Sequence, residues 1–241
     1  MENELVLLWG AASIAFVHTL LGPDHYLPFV AVGKARGWSL PKTGLITLMC
    51  GVGHSIGSIL LGFIGVYASG YVTRLLNIES VRGDVAAWSL LCFGFLYAAW
   101  GIRKSFNAKS HNHWHTHADG VRHTHNHNHQ SDHAHVHAEK AAQKFSMKIF
   151  APWALFIIFI LGPCEPLIPL MMVPAAAGNY MGVAMTVGIF TAVTITTMLS
   201  VVMLSSWGIK SVSTNGLQKY SHAFAGGTIS LCAVGMLAFG L

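Results

Sequence analysis

The chain carries Leu21-Gly22-Pro23-Asp24-His25-Tyr26-Leu27-Pro28, and 140 positions later Leu161-Gly162-Pro163-Cys164-Glu165-Pro166-Leu167-Ile168-Pro169. Each stretch lies inside a long apolar run and would stop a helix there. Proline has no backbone N–H to give, and it disfavours helix in the residue before it. Both breaks bring ionisable or metal-binding side chains into apolar surroundings: Asp24 and His25 in the first, Cys164 and Glu165 in the second. Breaks at matching places in two halves of an apolar chain are a pointer to a binding site within a membrane.

The correspondence extends beyond the breaks. Ser89-Leu90 and Gly94 recur as Ser230-Leu231 and Gly235 at an offset of 141, close to the 140 of the Leu-Gly-Pro triplets. Matches at both ends of a half indicate an internal duplication. A membrane-crossing helix needs roughly 20 apolar residues. Six such runs are present, at about 5–33 (broken), 43–70, 85–102, 150–173 (broken), 181–207 and 217–240. In hydrocarbon the backbone must satisfy its own polar groups, so the runs are read as helices. The expected fold is therefore all-α, with six transmembrane helices forming two three-helix repeats and helices 1 and 4 broken. Because three is odd, the second repeat enters the membrane inverted. The divisions are 1–102, 103–148 and 149–241.

Composition points the same way. Hydrophobic residues make up 53% of the chain and charged residues 10%, against about 25% charged in ordinary soluble domains. Ten of the 23 charges lie between Arg103 and Lys148, so a polar insert joins two apolar halves. The start, Met1-Glu2-Asn3-Glu4, is acidic, and no cleavable signal peptide is expected. Cys50, Cys92, Cys164 and Cys232 form no Cys-x-x-Cys pair, which argues against a disulfide framework. The net charge of +5 does not indicate nucleic acid, because the basic residues border apolar runs. The loops after runs 1, 3 and 5 hold twelve Lys/Arg, and the other side holds only Arg74 and Arg82. The positive-inside rule then sets both termini outside and the polar insert in the cytoplasm, in a cytoplasmic (inner) membrane.

The candidate site residues are the ionisable groups at and near the breaks. Asp24 and Glu165 are the two acids read inside the runs, where each costs on the order of 2.5–3.5 kcal/mol to insert. His18 and His25 are seven apart, nearly two helical turns. His54 sits in the small-residue stretch Gly53-His54-Ser55-Ile56-Gly57-Ser58. Cys164 lies between Pro163 and Glu165; it can be a ligand or a small buried hydrophobe. Imidazole, carboxylate and thiolate together suit a borderline divalent metal such as nickel, cobalt or zinc. The expected metal set is His18, Asp24, His25, His54, Cys164 and Glu165. The polar insert holds His111, His113, His115, His117, His123, His125, His127, His129, His133, His135 and His137. This is an accessory metal-binding tract, expected to be disordered without metal.

His18-Thr19-Leu20-Leu21-Gly22-Pro23-Asp24-His25, followed by Gly51-Val52-Gly53-His54-Ser55, resembles the nickel/cobalt transporter superfamily. More narrowly it is similar to the NicO and urease-accessory-UreH-like membrane proteins. The resemblance implies a polytopic transporter in which His18, Asp24, His25 and His54 handle the metal. A His-rich loop between the halves is similar to that of nickel/cobalt exporters. Five residues separate His18 from Asp24, against four in the best-known nickel permeases. The expected function is transport of a divalent transition metal, with efflux favoured. The metal is cargo, no organic cofactor is expected, and the partners are the ion and the lipid bilayer. The chain is not read as an enzyme. Two other classes stay open. Pro163-Cys164-Glu165-Pro166 in a three-plus-three layout resembles the thiol–disulfide electron carriers of cytochrome-c biogenesis, although Asp24 stands where their other cysteine would be. A membrane metal sensor or delivery protein would use the same ligands without transport.

Overall fold

The computed structural model describes residues 2–67, 72–107, 111–116, 122–127, 147–162, 164, 166–210 and 218–239. Among these residues, eight helices carry the fold: α1 (Glu2–Leu21), α2 (Leu27–Ala35), α3 (Leu40–Tyr67), α4 (Val72–Asn107), α5 (Met147–Leu161), α6 (Leu167–Ala176), α7 (Tyr180–Lys210) and α8 (Ser221–Phe239). Within α1, α3, α4 and α7, and from Gln218 through α8, run five segments long and apolar enough to cross a membrane. Only 17–39% of their apolar windows is buried. Trp9, Phe95, Leu204, Leu231 and Phe239 are among the large side chains turned outward. Apolar surface on this scale suits a lipid solvent better than water.

The first break forms as the prolines require. Gly22 N–H closes α1 on the His18 carbonyl at 2.9 Å. A 3-10 turn, Pro23–His25, follows, with His25 N–H bonded to Gly22 O at 3.1 Å, and α2 begins at Leu27. Pro23 and Pro28 each fall at the first positions of their elements, where a missing N–H costs no helical bond. At the second break α5 ends at Leu161 and α6 starts at Leu167. Pro163 and Glu165 lie outside the described residues.

The helices that follow the breaks end and restart in matching ways. Gly37 ends α2 at φ 62° and Gly178 ends α6 at φ 66°, a left-handed conformation that glycine tolerates best. Trp38 N–H bonds Gly33 O, and Asn179 N–H bonds Pro174 O, both at 2.9 Å, the longer bond of a Schellman cap. The next helices start on side-chain caps: Lys42 N–H bonds Ser39 Oγ, and Gly182 N–H bonds Asn179 Oδ1.

The two halves interleave. α4 lies along α8, α1 along α7, and α3 between α5, α6 and α7. The Glu4–Asn179 bond joins the starts of α1 and α7, so these helices run the same way. Gly44 meets Met203 and Gly51 meets Met198, so α3 and α7 run oppositely. α4 and α8 touch backbone to backbone: a Cβ on Gly94 would lie 2.7 Å from Ser230 N and 2.9 Å from Gly226 O. Gly226 faces the backbone of Ala98 just as closely. Such glycine contacts are the close approaches that hold helices together in membranes. Gly226→Val should therefore push α4 and α8 apart. The expected result is loss of monodisperse protein in detergent gel filtration, whereas Gly235→Val, with open space around it, should behave like the parent.

Two expectations change. The apolar run read as 85–102 belongs to a helix that begins at Val72. Its first turns looked like loop because they are charged. Glu79 and Arg82 are three apart on the helix and form an ion pair with each other. The fold is all-helical as expected, but the polar insert, expected to be disordered, contains a short hairpin of β1 (His111–Thr116) and β2 (Arg122–His127). His-x-His has period two, the period of a strand. The register pairs His111 with His127, His113 with His125 and His115 with His123. His117, His129, His133, His135 and His137 lie outside the described residues.

Candidate metal centre

Three of the residues at and near the first break converge. His18 comes from the last turn of α1, His25 from the 3-10 turn and His54 from the middle of α3. One ring nitrogen from each lies within 4.8 Å of the others. The rings meet edge to face, with centroids 5.0 Å apart for His18–His25 and 5.2 Å for His25–His54. His25 and His54 are each 2% exposed.

Second contacts decide which nitrogen is offered. His25 Nδ1–H donates to Asp24 Oδ1 at 3.1 Å and lies 3.2 Å from Gly22 O. His54 Nδ1–H donates to the Phe159 carbonyl at 3.3 Å. A carbonyl can only accept, so the proton is on Nδ1, and Nε2 of a neutral ring keeps its lone pair. In His18, His25 and His54 alike, Nε2 is buried with no hydrogen-bond partner among the described residues. An unmet buried polar atom costs about 1–3 kcal/mol, and here three stand together. A metal ion would satisfy all three. Metal–nitrogen bonds of 2.0–2.1 Å bring ligand atoms to about 3.4 Å from each other in a tetrahedron, within reach of small ring rotations. A carboxylate and a backbone carbonyl on the far nitrogens are the usual outer supports of metal-bound histidine.

Both Leu-Gly-Pro glycines touch this cluster. A Cβ on Gly22 would lie 2.6 Å from His25 Nδ1, and one on Gly162 would lie 3.2 Å from His54 Nδ1. The second half thus borders the site through its break and through the Phe159 carbonyl. Asp24 is 18% exposed on its side chain and acts on His25 rather than joining the nitrogen cluster. With His54, Phe159 and Gly162 it lines a void of about 20 Å³, roughly the space one water needs. Cys164 is buried in a different place, in an apolar cluster with Ala15, Leu167, Met171, Val183 and Phe190.

Three residues that support the second break, Ser58, Glu79 and Arg82, are absent from the candidate set drawn from the sequence. Glu79 is buried and accepts a bond from Ser58 Oγ at 2.7 Å. Arg82 pairs with Glu79 and donates to Ile160 O at 3.0 Å and Gly162 O at 3.2 Å. Cys164 N–H lies 3.0 Å from Ser58 Oγ and 3.4 Å from Glu79 Oε1. These side chains take up backbone groups that the broken helix leaves over. Removing one partner of such a buried pair costs about 3–5 kcal/mol. The signal in the sequence was the Glu-x-x-Arg spacing, which places both residues on one helix face. The first break thus presents free imidazole nitrogens, while the second has its polar groups bonded within the protein among the described residues. Comparison with protein-family models, curated proteins and solved structures gives no match for this chain.

Proposed function

We propose that this chain is a multi-pass membrane transporter that carries a divalent transition metal through a three-histidine site, with nickel or cobalt first and zinc next. The observation that carries the reading is the convergence of one ring nitrogen from each of three histidines, each ring having a buried Nε2 with no hydrogen-bond partner among the described residues. Packing alone gives no reason to gather three imidazoles in an apolar interior. Neutral nitrogen donors also suit the borderline metals. Three ligands leave further coordination positions for water, so the ion can be taken up and released.

Six crossings and an inverted duplication remain the arrangement that best accounts for the helices. α5 and α6 are too short to cross singly, but together they make one broken span, as do α1 and α2. Helix directions support this count: α1 runs with α7, while α3 runs against it. Alternating crossings require both. The caps support the duplication. Gly37 and Gly178 stand 141 positions apart, and Ser39 and Asn179 stand 140 apart. Under this reading the site lies between the halves, and rocking one half against the other would expose it to each side in turn.

Charge sets the orientation, and the orientation favours efflux. Arg82 belongs inside the protein with Glu79, so it drops out of the outer tally and the Lys/Arg bias sharpens. The histidine tract then faces the cytoplasm and gathers metal where an exporter loads. Deleting the protein should raise cellular nickel or cobalt, measured by elemental analysis after metal challenge, and lower tolerance to that metal. A fall in metal content would instead mean uptake, and no change for any transition metal would reject transport.

A further inference from the structure

Among the described residues, His54 is the member of the triad whose outer support comes from the other half of the chain. Its Nδ1–H bonds Phe159 O at 3.3 Å, in the last turn of α5. That turn has no helix after it to hold it, because the chain breaks at Gly162. Arg82 holds it instead, through Ile160 O at 3.0 Å and Gly162 O at 3.2 Å. The same guanidinium lies on α3 one turn beyond His54, where a Cβ on Gly57 would come within 2.7 Å of Nη2. Arg82 therefore touches both the helix that carries His54 and the strip of backbone that orients it. Glu79 pins Arg82 and is itself pinned by Ser58 and by Cys164 N–H.

We propose that the Glu79–Arg82 pair is a positioning device for the metal centre: it fixes the end of α5 so that Phe159 O selects the His54 tautomer and aims Nε2 at the ion. This rests on the three-histidine metal site argued above. The pair touches no metal, and its effect passes through one ligand only.

That restriction supplies the test. Cobalt(II) is titrated into purified full-length protein in detergent, reading affinity and the visible ligand-field spectrum. The variants are Arg82→Met, His54→Ala and the two combined. Arg82→Met should weaken cobalt binding 10–100-fold, the range for outer supports of metal ligands, and should change the spectrum. In the His54→Ala background, where His18 and His25 still bind cobalt weakly and the titration is carried to higher concentration, it should cost nothing further, the coupling expected of residues acting as one unit. Arg82→Lys keeps the charge but loses the fork that spans two carbonyls, so it should recover only part of the loss. Equal losses in both backgrounds, or a wild-type affinity and spectrum in Arg82→Met, would overturn the proposal. If Arg82→Met yields no folded protein, Glu79→Gln enters the same cycle with the same expected and excluding results. Cobalt binding by the wild type with no coupling rejects only the positioning role. Absence of cobalt binding by the wild type rejects the metal centre and this inference with it.

Discussion

His25→Gln should abolish high-affinity cobalt or nickel binding by the purified protein. His25 stands in the middle of the cluster, with His18 and His54 each about 5 Å from it between ring centroids. Glutamine keeps a polar group near the Asp24 carboxylate but removes the imidazole nitrogen. The loss should exceed the 10–100-fold that outer supports are worth, so isothermal titration should show no binding at concentrations that saturate the wild type. Asp24→Asn should fall in between, about 10–100-fold weaker, because Asp24 orients His25 rather than holding the ion. Cys164→Ala should bind like the wild type, since its thiol is packed against Leu167, Met171 and Phe190. Full binding in His25→Gln would remove the triad as the site. Loss of binding in Cys164→Ala would bring the thiol back into it.

Metal flux into sealed proteoliposomes should be abolished by His54→Ala and retained by Cys164→Ala. The first change removes an Nε2 that has no hydrogen-bond partner among the described residues. The second removes one buried sulfur, at a stability cost of about 1–2 kcal/mol by the usual scale of small core deletions. The pair of variants separates the open classes. A thiol–disulfide carrier would depend on Cys164 and would ignore His54. A sensor or delivery protein would bind metal in both assays yet show no flux even in the wild type. Flux should follow the ion that fills the three-histidine site. A fluorescent indicator inside the vesicles, read for nickel, cobalt and zinc in turn, reports which that is.

The helices were legible because hydrophobic length and proline chemistry are local. The break between Leu21 and Leu27 needed only Gly22-Pro23 and Pro28, and the break after Leu161 needed only Gly162-Pro163 and Pro166. The histidines were legible because a titratable ring in an apolar run has few reasons to be there. The start of α4 was not. Glu79, Arg82 and Asp84 read as a polar loop, and what lets them begin a long helix is the pairing of Glu79 with Arg82 and the partners both find on α3 and α5. The hairpin in the insert follows a period of two, a strand's period, which composition alone does not show.

By itself the sequence determined where the chain is apolar, where its helices stop, and that His18, His25 and His54 are imidazoles set within apolar runs. Each of those is a property of a residue and its near neighbours. Only the tertiary structure divided the candidate set by role. It gave the nitrogens of three histidines to one cluster, put Asp24 behind His25, and buried the Cys164 thiol among hydrophobic side chains. It also made a carbonyl from the far half the partner that sets His54. A ligand is distinguished from its support by which atoms share a few ångströms, and that depends on how α3 packs on α5, across 105 residues of chain.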